Sequence, residues 1–446
     1  MSVHIVDAPM GVGKTSGMIN YMNAAPPGSK FIFVTPYLDE GDRITEACPS
    51  LNFQVPETDE NPDPKKRRSK MVDFKRFLRE QRNIVTTHAL FERFDVETER
   101  LIAEGHYTLV MDEVADVIRP YKISPYDAKR LNQTCVDKLP NGQLAWRESD
   151  KNYYGRYLSY KLDCDAEALW YYNDSVIVEM LPISAFDAFD QIFVMTYMFD
   201  AQLHRCYFDI FGIEFEYMHV EGDSLDTYTL VPGYWQYKKP GLDKLIHIYD
   251  DRKLRMKNLD RNTLSSQWYE KHQETTVSQV KNNCYNFFRH HMGAKAEDTL
   301  WTCFRQKPKT QQDEEEQQDP YFSPRSYSSG FLACNARATN KYRDRTVLAY
   351  PVNRFLNPHI YNFLVAHGTT INQDQWALSE MIQWIWRSAI RDGKEITIYI
   401  PSDRMRTLLE NWIEEMSSTG LEGGDDVATV SLHHNPADDA GEKNIA

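Results

Sequence analysis

The sequence predicts an α/β protein of two tandem units, each a parallel sheet covered by helices. Three observations carry that prediction. Apolar runs of strand length alternate with helical patterns through roughly the first 200 residues, the pattern of strands buried on both faces. A glycine-rich turn, Val6 to Ser16, joins the first such run to the first helical pattern. The same alternation resumes near residue 240.

The elements follow in order. Val3, Ile5 and Val6 form an apolar opening, and Met18, Ile19, Tyr21 and Met22 repeat at helical spacing after the turn. Lys30–Pro36, Asn83–His88, Tyr107–Glu113 and Gln191–Thr196 are the next buried strands, each ending in polar residues. Ligands of parallel sheets bind beyond the carboxyl ends of the strands, so these polar ends are the place for a site. Residues 120–183, rich in tyrosine and charge, read as a helical insertion in the first unit. Thr299–Phe304, Thr346–Tyr350 and Glu395–Ile400 are strands of the second unit, with a helix over Trp376–Ile390 before the last. The expected boundaries are 1–225 and 226–416, with an acidic loop at 311–319 and a loose tail at 417–446.

Composition narrows the function classes. A net charge of −14 excludes a protein that coats nucleic acid by bulk attraction, but it leaves room for a narrow basic groove. Basic clusters stand at Lys65–Lys70 and around Arg337–Arg345. No apolar run approaches the ~18 residues of a membrane span, so no membrane is expected. The chain opens on a strand pattern, with no basic segment leading an apolar one, so no secretion signal is expected. Seven scattered cysteines without CxxC spacing point to reduced thiols in a cytoplasm and to no zinc site.

The turn Ala8-Pro9-Met10-Gly11-Val12-Gly13-Lys14-Thr15-Ser16 has the chemistry of a triphosphate cradle. Glycines let backbone N–H groups converge on phosphate oxygens, Lys14 neutralises β/γ charge, and the Thr15 hydroxyl suits Mg²⁺. Residues Met10 to Ser16 therefore form the expected binding segment for ATP or GTP. Asp112 and Glu113, behind the apolar run Thr108–Met111, supply the second half. The first carboxylate suits Mg²⁺, and the second can orient and deprotonate an attacking water. On a helix, Gln383, Arg387 and Arg391 are four apart and share a face. Arginines so placed can stabilise charge on a γ-phosphate held by another unit.

This set resembles motifs I, II and VI of superfamily 2 helicases: Ala-Pro-Met-Gly-Val-Gly-Lys-Thr, Asp-Glu-Val-Ala and Gln-x3-Arg-x3-Arg. The Ala-Pro-Met-Gly form is similar to that of herpesvirus-type origin-binding helicases and helicases of tailed phages, DEAD-like P-loop ATPases. Val34–Tyr37 resembles motif Ia and Val85–His88 the next strand-contacting motif. Val194–Tyr197 sits where motif III couples the two sites; Trp301–Phe304 resembles motif IV and Cys334–Asn340 motif V. The chain departs from the family at three places. Ala8 stands for the first glycine, Trp386 replaces the glycine of motif VI with its second arginine one residue late, and motif III lacks its Ser/Thr-Ala-Thr form.

The resemblance implies two RecA-like domains with ATP and Mg²⁺ in the cleft between them and a single strand across the top. Lys14 and Thr15 would then hold phosphate and metal, Asp112 the metal, and Glu113 the water. Gln383, Arg387 and Arg391 would reach in from the second domain, with Arg391 assigned as the arginine finger ahead of Arg387. Thr35, Thr86, His88, Arg337 and Thr339 would touch the nucleic-acid backbone. The implied activity is an ATP-dependent helicase or translocase acting on single-stranded or forked DNA in phage-type replication or recombination. Replication proteins would be its partners, in the cytoplasm of a bacterial or phage-infected cell. Two other classes share parts of the pattern. A non-translocating switch ATPase, a loader or scaffold, would need the same cradle. A terminase-like packaging ATPase would add a clustered Asp/Glu nuclease site, where this chain instead has Gln383, Arg387 and Arg391.

Overall fold

A computed structural model describes residues 1–418 except 37, 59–68, 148, 150, 175, 252–253, 255, 257–259, 273–275, 308–317 and 337–340. The first unit begins with β1 (Ser2–Asp7), β2 (Lys30–Thr35), β3 (Ile84–Thr87) and β4 (Tyr107–Asp112). An insertion follows, carrying β5 (Ile118–Pro120), β6 (Val136–Lys138), β7 (Leu144–Trp146), β8 (Leu169–Asn173) and β9 (Val176–Met180). The chain then returns through β10 (Gln191–Thr196), β11 (Glu216–Glu221) and β12 (Thr229–Pro232). The first sheet has the order β12-β11-β1-β10-β4-β2-β3 and is parallel apart from β12.

Alternation explains why these runs are apolar throughout. Ile5, Val34, Leu109, Met111 and Val194 enter the core on one face, while Val6, Phe33, Val110, Phe193 and Met195 enter the core on the other. The register aligns the carboxyl ends: Asp7 pairs with Thr196, Met195 with Asp112, and Thr35 with Thr87. The second unit is a parallel sheet of β13 (Ile246–Tyr249), β14 (Thr299–Trp301), β15 (Val347–Ala349) and β16 (Ile396–Tyr399), ordered β13-β16-β15-β14. Two tandem parallel α/β units are thus present, as the periodicity predicts, and they fit the RecA-like pair that the resemblance implies.

Three expectations need correction. The insertion is mixed rather than helical: helices Pro125–Thr134 and Leu158–Asp165 join an antiparallel β5-β9-β8 sheet and a β6-β7 hairpin around a small core of their own. The first sheet extends past residue 225, because β12 pairs with β11. The helix expected over Trp376–Ile390 runs Gln373–Ile385. It stops there because Trp386 turns into the second core against Trp412, while the buried Ser388 hydroxyl donates to the Ile385 carbonyl at 2.6 Å. The 65–68 part of the basic cluster, most of the acidic loop and nearly all of the tail lie outside the described residues.

The second half of the chain also contributes a piece to the first unit. Helix Pro358–Ala366, from the second half of the chain, buries Ile360, Phe363 and Leu364 in the first unit's core. Thr369 donates to Asp209 at 2.6 Å, and His367 packs edge-on against Trp170 of the insertion.

Candidate nucleotide site between the units

The cradle begins where β1 ends. Gly11 and Gly13 have φ of +85° and +92°, a left-handed backbone that side chains disfavour. Gly13 is the N-cap of helix Lys14–Asn23; no side chain caps it and no acid occupies the first turn. The first N–H groups of that helix are therefore directed at whatever anion the turn holds. The Lys14 ammonium folds over the same turn, donating to the carbonyls of Ala8 and of Pro9, the latter at 3.1 Å. Burial lowers its pKa, against the opposing pull of Glu113, Asp112 and Asp7. Thr15 is partly exposed beside it, and Ser16 is buried. Met10 and Val12 are partly exposed; Met10 packs against the second unit's core, so the turn already touches both units.

Asp112 and Glu113 stand two strands away, with β10 between β1 and β4. Glu113 has φ +63°, a conformation that costs a non-glycine residue about 1 kcal/mol or more, and its N–H donates to Met195 at 2.9 Å. Strain held in this way at a strand end is typical of a position fixed for function. Between the carboxylates and the cradle lies a hydrogen-bonded bridge. Asp7 accepts the N–H groups of Met198 at 2.8 Å and Phe199 at 3.0 Å. Burial raises Asp7 to about 6 despite those two bonds. Thr196, at the motif III position, donates to Gln202 at 3.1 Å, and the Gln202 amide donates to the Tyr197 carbonyl at 2.9 Å.

One pocket brings the two units together. Glu113, Asp116, Gln202 and His204 line it from the first unit, and Glu380 and Gln383 from the second. Behind it, Arg354 pairs with Glu380 at 2.6 Å and lies over the Trp376 ring. Asp7, Gln202, Glu380 and Arg354 were not predicted as site residues. Only Asp7 carried a sequence signal, an acid directly before the cradle.

The arginines are not brought together as expected. Since the helix ends at Ile385, Arg387 and Arg391 do not continue the face of Gln383. Arg387 is partly buried just past the helix end, whereas Arg391 is exposed on the turn Ala389–Asp392, beside Asp392 and its partner Arg343. Among the residues assigned to nucleic acid, Thr35 and Thr86 are buried, at 1% and 2% exposed. His88 is partly exposed, and its Nε2–H donates to the Asp112 carbonyl at 2.9 Å, linking that segment to the carboxylate strand. Arg337 and Thr339 lie outside the described residues.

Comparison with known proteins gives the family. The chain is 38% identical over 420 residues to the SPbeta prophage-derived uncharacterized protein YonV of Bacillus subtilis strain 168, covering 92% of this chain and 98% of that one. The chain belongs to the YonV family. Residues 240–413 match the domain described as the YonV C-terminal Rossmann-like domain, which takes in all four strands of the second sheet. Two solved structures overlay this YonV-family chain weakly. S. tokodaii Xpd4 does so at 11% identity and a TM-score of 0.40, over 92% of this chain and 94% of that one. The DUF1998 helicase MrfA bound to DNA and AMPPNP does so at 11% identity and 0.33, over 93% and 48%. No helix among the described residues is long and apolar enough to cross a membrane.

Proposed function

We propose that this chain is an ATP hydrolase that couples the reaction to movement along a nucleic-acid strand, most fittingly DNA in phage-type replication or recombination. One observation supports it above the others: the carboxylate beyond the glycine cradle, Glu113, shares a pocket with Glu380 and Gln383 of the second unit. A nucleotide held at such a junction is felt by both units, which is what coupling hydrolysis to relative motion requires. The prophage origin of the relative agrees with a phage role.

The residues fit the roles. Backbone N–H groups of Gly11 to Ser16, with Lys14, bind the triphosphate. The Thr15 hydroxyl and the Asp112 carboxylate suit Mg²⁺, which when bound would neutralise β/γ charge. Glu113 orients water and takes its proton, and Gln383 faces it from the other unit. Arg387 is the better candidate for transition-state charge, because Arg391 is exposed beside Asp392.

The contributed helix gives weight to a second reading. With Ile360, Phe363 and Leu364 buried in the first core, opening of the units is restrained, as suits a switch ATPase that changes shape without translocating. ATP turnover with and without single-stranded DNA, RNA and duplex, beside Lys14→Ala, separates the readings. The translocase reading expects stimulation of several-fold or more and loss of turnover in the variant. Turnover that nucleic acid changes by less than about twofold leaves the switch, and turnover untouched by Lys14→Ala removes both.

A further inference from the structure

We propose that Tyr228 and the loop at 222–228 form the wall of the nucleotide site that receives ribose and base, with the tyrosine ring as stacking platform. The inference rests on the triphosphate-cradle reading and names the part of the ligand that the cradle motif leaves unspecified.

The topology gives the direction. The carboxylate strand β4 lies on one side of β1, separated by β10, while β11 adjoins β1 on the other side. A triphosphate whose γ end faces Glu113 therefore has its α end, and the nucleoside beyond it, on the β11 side. The loop at 222–228 leaves the carboxyl end of β11, the same edge of the sheet as the cradle.

The loop is fastened to the cradle helix itself. The Asn20 amide donates to the carbonyls of Leu225 and Tyr228, both at 2.9 Å. Within the loop the Thr227 hydroxyl accepts the N–H groups of Asp223 at 3.2 Å and Ser224 at 3.0 Å. Gly222, at φ +117°, has no room for a Cβ, which would lie 2.6 Å from the Thr227 carbonyl.

These ties lay Tyr228 on the glycine that starts the helix. Three of its ring carbons would stand 2.6 to 2.7 Å from a Cβ at Gly13, so the ring face covers that position. The side chain remains partly exposed, and Leu225, three residues earlier, is 68% exposed. A partly exposed aromatic ring and an exposed apolar side chain beside a phosphate cradle suit the flat faces of a base. Stacking depends on π surface rather than on edge hydrogen bonds, so it does not separate ATP from GTP.

Calorimetric titration of the full chain with Mg·ATP and with Mg·tripolyphosphate tests this, using wild type, Tyr228→Ala and Tyr228→Phe. Tyr228→Ala is expected to weaken ATP by roughly tenfold or more while tripolyphosphate binding stays unchanged, and Tyr228→Phe to keep both. Retained tripolyphosphate binding also shows that the variant is folded. Equal weakening of both ligands, or ATP bound as well as or better than by wild type, overturns the platform while leaving the cradle. A wild-type chain that binds neither ligand overturns the cradle and the platform with it.

Discussion

The two α/β units are built alike and equipped differently. The first has a main sheet of seven strands among the described residues and carries the glycine turn, the strained Glu113 and the Asp7 and Gln202 bridge along one edge. The second has four strands of three or four residues and reaches the site through one helix face, with Glu380 and Gln383. It also sends helix Pro358–Ala366 into its neighbour's core. The second unit's contribution is therefore positional. Its residues acquire meaning only where the first unit's carboxylate end meets them.

The largest expected effect tests whether the units are mechanically one. Phe363 is completely buried in the first unit's core although it belongs to the second half of the chain. Phe363→Ala should cost about 3–5 kcal/mol, read as a lower urea midpoint. If this helix is what joins the units, unfolding should also split into two transitions. A single transition with a shift below about 1 kcal/mol would show that the helix is an accessory.

Next in size is the division of labour between the arginines. Arg387→Ala should reduce kcat by at least about a hundredfold, while Arg391→Ala should stay within a few-fold of wild type. Steady-state turnover at saturating ATP decides it, and the reverse ranking would return the role to Arg391.

The smallest effect lies wholly within the first unit. Burial raises the Asp7 carboxyl from 3.8 to about 6, so the folded state holds its proton more tightly than the unfolded chain does. The resulting stability is fully present below the unfolded value of 3.8 and is lost as pH rises through about 6. Between pH 5 and 7.5 this amounts to about 1.4 kcal/mol from the two pKa values. Asp7→Asn should flatten that part of the pH profile of the urea midpoint, and an unchanged profile would place the titration elsewhere.

Much of the first unit was legible in the sequence. The apolar runs at Lys30–Pro36, Asn83–His88, Tyr107–Glu113 and Gln191–Thr196 became β2, β3, β4 and β10 within a residue or two at each end. Burial on both faces leaves little other choice for such runs. Strand β11 has no clear signal because Glu216, His219 and Glu221 interrupt its apolar pattern, and β12 has none because it is a four-residue strand at the sheet edge that ends in Pro232. In the second unit, the four-residue spacing of Gln383, Arg387 and Arg391 suggested one helical face, but burial of Trp386 and Ile390 ended the helix first. Local periodicity cannot anticipate that, since the competing core is assembled from distant segments.

By itself, then, the sequence determined the parallel α/β build and the glycine cradle with Lys14, and it put Asp112 and Glu113 at a strand end, because glycine conformation and strand burial are local properties. Which groups meet is set by packing between distant segments. The Asp7 carboxylate binding the turn after β10, the Tyr228 ring on Gly13 and the shared pocket of Glu113 with Gln383 all join residues far apart in the chain. Their proximity comes from strand order and from the contribution of a helix to the neighbouring core, and neither is written in any single stretch of residues.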